Sequence, residues 1–201
     1  MENSSAPLPN TPNDLFYPAE YSSMMLQMYV ENLKQRREIQ VLDMGPVCEE
    51  NIMFFGQQVK RHYVCDMFIR LDRNRRKKLK LANLWNHLDY PQQSFDGIHL
   101  WDLVDHLKDA EVTKLMELCH FMLRPMGMIM AYTFDEHSIP SFIYSFVIRD
   151  NDRITFRPQH HLDLPWYYRT NRELTLLLAT FRLIKSFLYR NGIREFLFQR
   201  V

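Results

Sequence analysis

Short apolar runs and longer stretches in which apolar residues recur every three or four positions trade places along most of the chain. That alternation predicts strands and helices in turn. Ile39–Leu42, Arg61–Cys65, Phe95–Trp101 and Met128–Phe134 read as strands; Val41 and Leu42 give the first the apolar run of a parallel strand covered on both faces. Between the strands, helical spacing links Ile52, Met53, Phe55 and Val59, with Glu49 and Glu50 in the positively polarised first turn. It also links Val112, Leu115, Met116, Cys119, Met122 and Leu123, capped by Asp109 and closed by Arg124–Gly127. Ahead of the first strand, Tyr21, Met24, Met25, Met28 and Leu33 predict a helix running from Asp14, with Lys34, Arg36 and Arg37 at its end. Its methionines read as core.

The C-terminal third follows other rules. Thr170-Asn-Arg-Glu173 matches a capping box that opens a helix through Leu174, Leu177 and Leu178. Asn191-Gly192 joins Phe181–Arg190 to Ile193–Val201 as a hairpin, so the sheet ends antiparallel. Residues 136–168 interrupt the alternation; Phe142–Ile148 and Arg153–Arg157 flank Asp150-Asn-Asp152 as a small hairpin, with a helix over the first half as the competing reading. Met1–Asn13, rich in Asn, Ser, Pro and Thr, has no periodicity and reads as a mobile tail.

Composition narrows this picture. A chain of 201 residues with 46% hydrophobic content makes one globular domain over residues 14–201. A net charge of +1 leaves the choice of partner to local patches. No apolar run reaches the roughly 18 residues of a membrane span, and the polar N-terminus lacks a signal peptide's apolar segment, so a cytoplasmic protein is expected. Three scattered cysteines, Cys48, Cys65 and Cys119, predict free thiols and no metal site. With five glycines in all, any glycine-rich cofactor loop must be a reduced one.

Candidate chemistry collects at strand ends, where open α/β sheets bind ligands. Gly45 permits the tight turn after the first strand, and Pro46 stops the ladder. Arg70–Lys80 holds seven basic residues in eleven. Its functional reading is a phosphate or RNA contact. The simpler reading, which the absence of interleaved aromatics favours, is the solvated side of a helix that turns Leu71, Leu79 and Leu84 inward.

Several segments resemble the motifs of class I S-adenosylmethionine-dependent methyltransferases of the type 11 kind. Val41-Leu-Asp-Met-Gly45 resembles the first motif, Tyr63-Val-Cys-Asp66 the second and Ser94-Phe-Asp-Gly-Ile98 the fourth. Asp105-His-Leu107 resembles the Glu-His-Leu that often follows the fourth motif, and Leu123-Arg-Pro-Met-Gly127 the Leu-Arg-Pro-Gly-Gly before the fifth strand. The resemblance implies a Rossmann-like α/β/α sandwich, its mostly parallel sheet closed by a C-terminal antiparallel hairpin and shortened in the middle. It implies S-adenosylmethionine as cofactor, with Asp43 facing the methionine ammonium, Gly45, Pro46 and Val47 cradling the amino-acid end, and Asp66 accepting both ribose hydroxyls next to Met67. Leu100 and Trp101 would line the cofactor. Methyl transfer can proceed by positioning and water exclusion without a dedicated base; if a base is needed, Asp102 is best placed, with His106, His160 and His161 behind it, and residues 136–168, carrying His160, His161, Trp166, Tyr167 and Tyr168, sit where the family builds substrate lids. Asp96 is left as a structural residue.

Val47 and Glu49 stand where the family has further glycines, and only about 30 residues separate Asp66 from Asp96, which leaves the adenine-contacting acid without a counterpart unless Asn86 or Asp89 serves. Three functions follow as expectations. The favoured one is a methyltransferase for a small-molecule acceptor; the others are a methyltransferase-like scaffold without turnover and an RNA methyltransferase using Arg70–Lys80.

Overall fold

A computed structural model of the chain describes residues 20–150 and 152–201. The expected tail, Met1–Asn13, lies outside the described residues. In chain order the elements are β1 (Glu20–Ser22), α1 (Met24–Leu33), β2 (Gln40–Asp43), α2 (Glu49–Gln58), β3 (Arg61–Val64), α3 (Met67–Arg76) and α4 (Leu81–Trp85). Then come β4 (Phe95–Trp101), α5 (Asp109–Met122), β5 (Leu123–Phe134), β6 (Tyr144–Ile148), β7 (Arg153–Pro158), α6 (Asn171–Leu177), β8 (Arg182–Leu188) and β9 (Ile193–Gln199).

Six strands form the main sheet in the order β3-β2-β4-β5-β9-β8. β2 pairs in parallel with both β3 and β4, and β4 with β5, whereas β9 runs antiparallel between β5 and β8. From β2 the chain moves outward to β3 and then returns to β4 on the other side. The crevice between β2 and β4 is therefore the topological switch point. Burial explains the strand assignments: every residue of β4 is buried, as are Val41 and Leu42 of β2. The shortened middle is real, since α4 and a 3-10 turn at Asn86–Leu88 take the place of a further strand and its helix between β3 and β4.

Several expectations need correction. The first helix begins at Met24, where Ser23 caps it by accepting the Leu26 N–H, and Tyr21 belongs to β1. Met25 is core, but Met24 is 49% exposed. On α2 the buried residues are Asn51 and Phe55, while Ile52 and Met53 face outward. Leu79 is exposed, because α3 has ended at Arg76. Asp109 does not cap α5; the Glu111 carboxylate accepts the Lys108 N–H at 2.7 Å and Asp109 binds Arg169. β5 begins at Leu123, directly after α5, so Arg124–Gly127 lies within the strand. By contrast, the capping box at Thr170 forms as expected, as does the Asn191-Gly192 hairpin.

The segment 136–168 does contain the expected hairpin, β6 with β7, to which β1 adds a third strand in the order β1-β7-β6. Asn51 binds this sheet to α2: its Nδ2 donates to the Phe146 carbonyl and its Oδ1 accepts the Ile148 N–H, both at 2.8 Å. Glu50 adds ion pairs with Arg149 and Arg157. At the opposite end of the main sheet, buried Asp96 holds Arg36, Arg124 and the Gln40 N–H.

Candidate cofactor and acceptor site

Register brings the candidate residues together at the carboxyl ends of the parallel strands. Asp43 pairs with Val64 of β3 and His99 of β4, so Asp66 and Trp101 lie two residues beyond its neighbours on either side. Backbone bonds then fix the turn between β2 and α2: the Met44 N–H donates to His99, Cys65 to the Asp43 carbonyl and Met67 to the Met44 carbonyl, all within 3.1 Å. Met44, Gly45, Pro46 and Cys48 are buried, while Val47 is 62% exposed.

The Asp43 carboxylate is the electrostatic centre. Its Oδ1 accepts the Gly45 N–H at 2.8 Å and the Trp101 indole N–H at 2.7 Å; its Oδ2 lies 3.7 Å from His62 Nε2. Burial pushes its pKa upward, but His62, His99 and the Gly45 N–H together outweigh burial and hold it below the usual carboxylate value. A buried carboxylate kept ionised in this way suits a cation or a strong donor.

Trp101 ends β4 with a positive φ of 52°, rare for a bulky side chain. Its indole is 1% exposed and stacks on Tyr132 and Phe146, with centroids at 5.3 and 5.6 Å. It also lies against Gly45, where an added Cβ would sit 2.3 Å from its Cδ1. Leu100, its neighbour in β4, is fully buried. Asp66 caps α3, with Oδ1 accepting the Ile69 N–H at 2.9 Å and Oδ2 the Val47 N–H at 3.1 Å. Burial raises its pKa against those backbone bonds. Met67 is buried as the first residue of α3.

Beyond Trp101, Asp102 and His106 are both fully buried, with Oδ2 and Nε2 3.4 Å apart. The Pro165 carbonyl, 3.0 Å from His106 Nδ1, can only accept, so Nδ1 carries hydrogen and Nε2 faces Asp102. Neither Asp102 carboxylate oxygen has a hydrogen-bond partner among the described residues. Trp166 covers His106 at 4.2 Å between ring centroids. Tyr167 donates its N–H to the Asp105 carbonyl and lies under the Arg75 guanidinium; Tyr168 lies under that of Arg194. His160 and His161 are exposed, His160 against Phe142 and His161 bound through its carbonyl to Arg76. In the basic run, Arg75 pairs with Glu111 and Arg76 with Asp72, while Arg73, Lys77, Lys78 and Lys80 are exposed.

Sequence reasoning missed Asn51, His62, His99, Tyr132 and Phe146. The clearest signal was Asn51, a polar residue four positions from Phe55 on the helix face that is buried. No group of three metal-ligating side chains occurs among the described residues. No helix among them is long and apolar enough to cross a membrane.

The donor set fits the cofactor that the sequence resemblance implies: an ionised buried carboxylate, a glycine at the turn and a second acid at a neighbouring strand end. The space does not, as long as the Trp101 indole lies on Gly45 and holds Asp43.

Comparison with known proteins agrees with the fold. The family model described as a methyltransferase domain matches residues 20–182. No curated protein matches the sequence. Among solved structures, an S-adenosylmethionine-dependent methyltransferase from Clostridium acetobutylicum is similar with a TM-score of 0.58 at 10% identity, over 88% of this chain and 89% of that one. An amino pentose methyltransferase from Micromonospora echinaspora, solved with S-adenosylmethionine bound, gives 0.54 at 13% identity over 88% and 90%. The 1,6-didemethyltoxoflavin-N1-methyltransferase of Burkholderia thailandensis, solved with bound 1,6-didemethyltoxoflavin and S-adenosylhomocysteine, gives 0.51 at 17% identity over 89% and 79%. At these identities the likeness shows a shared fold.

Proposed function

The chain belongs to the methyltransferase-domain family, which implies S-adenosylmethionine as its cofactor, and from that premise we propose that it methylates a small-molecule acceptor. The observation that carries the reading is Asp43: a carboxylate held ionised at the switch point of the sheet, beside a glycine turn, is a ready receptor for an α-ammonium group. S-adenosylmethionine, when bound, supplies an electrophilic methyl group. The chain's own residues bind and orient. Asp43 takes the ammonium, the Gly45–Val47 backbone sets the depth of the pocket, and Asp66 offers its carboxylate to the ribose.

On the acceptor side, Asp102 is the candidate base, since neither of its oxygens has a hydrogen-bond partner among the described residues and His106 Nε2 lies 3.4 Å from Oδ2. The 136–168 segment excludes water there through Trp166 and, over Trp101, through Phe146. Three free, buried thiols agree with a reducing compartment, the cytoplasm.

Calorimetric titration with S-adenosylhomocysteine tests the site. Binding is expected in the native chain and a loss of at least about tenfold in Asp43→Asn, which keeps the shape but removes the charge. Equal affinity in the two would remove Asp43 from the site.

A further inference from the structure

The two residues that define the amino-acid end of the proposed pocket are both already engaged by one side chain. Asp43 Oδ1 takes the Trp101 indole N–H at 2.7 Å, the place where a bound ammonium would donate. The face of Gly45 that would admit a ligand's backbone is covered so closely that any Cβ would meet the indole Cδ1 at 2.3 Å and Nε1 at 2.5 Å. The rings of Tyr132 and Phe146 hold Trp101 from β5 and from the β6 hairpin, and they stack on each other at 4.9 Å. The backbone at Trp101 sits at φ 52°, a conformation a bulky residue keeps only when its surroundings impose it.

We propose that Trp101 is a self-ligand: its indole fills the amino-acid end of the cofactor pocket, and a cofactor enters only when the indole leaves Asp43 and the Tyr132–Phe146 stack. The proposal rests on the cofactor site described above. Its chemistry is a replacement of one donor by another on the same carboxylate oxygen, a neutral N–H in the closed state and an ammonium in the open one. The β6 hairpin, which supplies Phe146 and is pinned to α2 by Asn51, forms the outer wall of the closed state.

The test is titration of the native chain, Trp101→Ala and Trp101→Phe with S-adenosylhomocysteine by calorimetry, after circular dichroism has shown each to be folded. Because the native chain pays for opening out of its binding energy, Trp101→Ala should bind at least about tenfold more tightly, and Trp101→Phe, which keeps a ring but loses the N–H, should fall between. Should Trp101→Ala fail to fold, Trp101→Phe alone decides, with a gain of at least about threefold expected. A second readout uses Trp85→Phe/Trp166→Phe, which leaves Trp101 as the sole tryptophan: ligand should shift its emission to the red as the indole moves to a wetter place. Equal or weaker binding by the Trp101 variants, with the native chain binding, would overturn the self-ligand and leave the cofactor site standing. No binding by any folded variant at millimolar ligand would overturn both.

Discussion

Replacing His99 by Phe should abolish a defined part of the chain's acid sensitivity. His99 lies in β4, fully buried, with ring neighbours Tyr29 at 4.7 Å, Trp101 at 4.8 Å and Phe55 at 5.0 Å, and neither ring nitrogen has a hydrogen-bond partner among the described residues. Burial pushes its pKa down to about 3; the Asp43 carboxylate opposes that shift, and His62 adds to it. In the unfolded chain the ring titrates at its ordinary value of roughly 6.5. Between the two values the unfolded state binds more protons, so stability is present above the unfolded pKa and drains away as pH falls. The limiting slope is about 1.36 kcal/mol per pH unit, and from pH 7.5 to 4.5 the loss integrates to about 2.7 kcal/mol. Phe cannot be protonated and fits an aromatic surround. Denaturant unfolding of both chains at pH 7.5 and 4.5 gives the effect as a difference of differences, which includes the share of Asp43, whose pKa His99 helps to lower. The double difference cancels the like-signed shifts of His87 and His120 and the opposite ones of Asp66, Asp105 and Glu195, whose pKa values burial raises. The expected outcome is that His99→Phe loses about 2.7 kcal/mol less than the native chain over that range. A pH dependence that agrees within about 0.5 kcal/mol would refute the assignment of a neutral, buried His99.

Asn51→Ala strips the Phe146 carbonyl and the Ile148 N–H of their partners in a buried seam, at about 1–3 kcal/mol each, and chemical denaturation should show a loss of at least about 2 kcal/mol. Asp66→Ala removes both the cap of α3 and the tie to Val47, and should cost about 1 kcal/mol or more without ligand, whereas Asp66→Asn, still a good cap, should cost less than half of that. Gly45→Ala forces a methyl group into the Trp101 indole and should destabilise by about 1–3 kcal/mol; in a double-mutant cycle with Trp101→Ala most of that penalty should vanish, and additive effects would place the clash elsewhere.

The central sheet was legible in the sequence because its strands are marked twice, by apolar runs and by breakers. Val41-Leu42 ends at Gly45-Pro46, and Asn191-Gly192 permits little except a hairpin. The helix faces were less legible. Ile52 and Met53 have the apolarity of core residues, yet Asn51 takes the buried position because it can satisfy two backbone groups of β6, and that partner is 95 residues away. The start of α1 was misplaced for a similar reason: Tyr21 fits a helical stripe, but its hydroxyl donates to buried Glu195 at 2.8 Å and its strand pairs with β7. Both errors are tertiary pairings overriding a local pattern, and no window of ten residues contains the information needed to foresee them.

At the candidate site the sequence names residue types but not what they bind. A motif of the form Leu-Asp-Met-Gly states that the turn needs an acid and a residue without a side chain; it does not state for whose benefit. In this fold the indole of Trp101 needs both as much as an ammonium ligand would, since it requires an acceptor for its N–H and a bare Cα to lie upon. Asp66 shows the same ambiguity, because the oxygens that could receive ribose hydroxyls already accept the Ile69 and Val47 N–H groups. A carboxylate has roughly four lone-pair directions, so an N-cap and a ligand contact can share one side chain. The two roles separate only by measurement: capping is felt in the stability of the free chain, ligation in the affinity of the occupied one. Asp66→Asn should therefore leave unliganded melting nearly unchanged while weakening S-adenosylhomocysteine by about tenfold. A variant that melts early and binds normally would make Asp66 a cap alone and confine the cofactor site to the Asp43 side of the sheet.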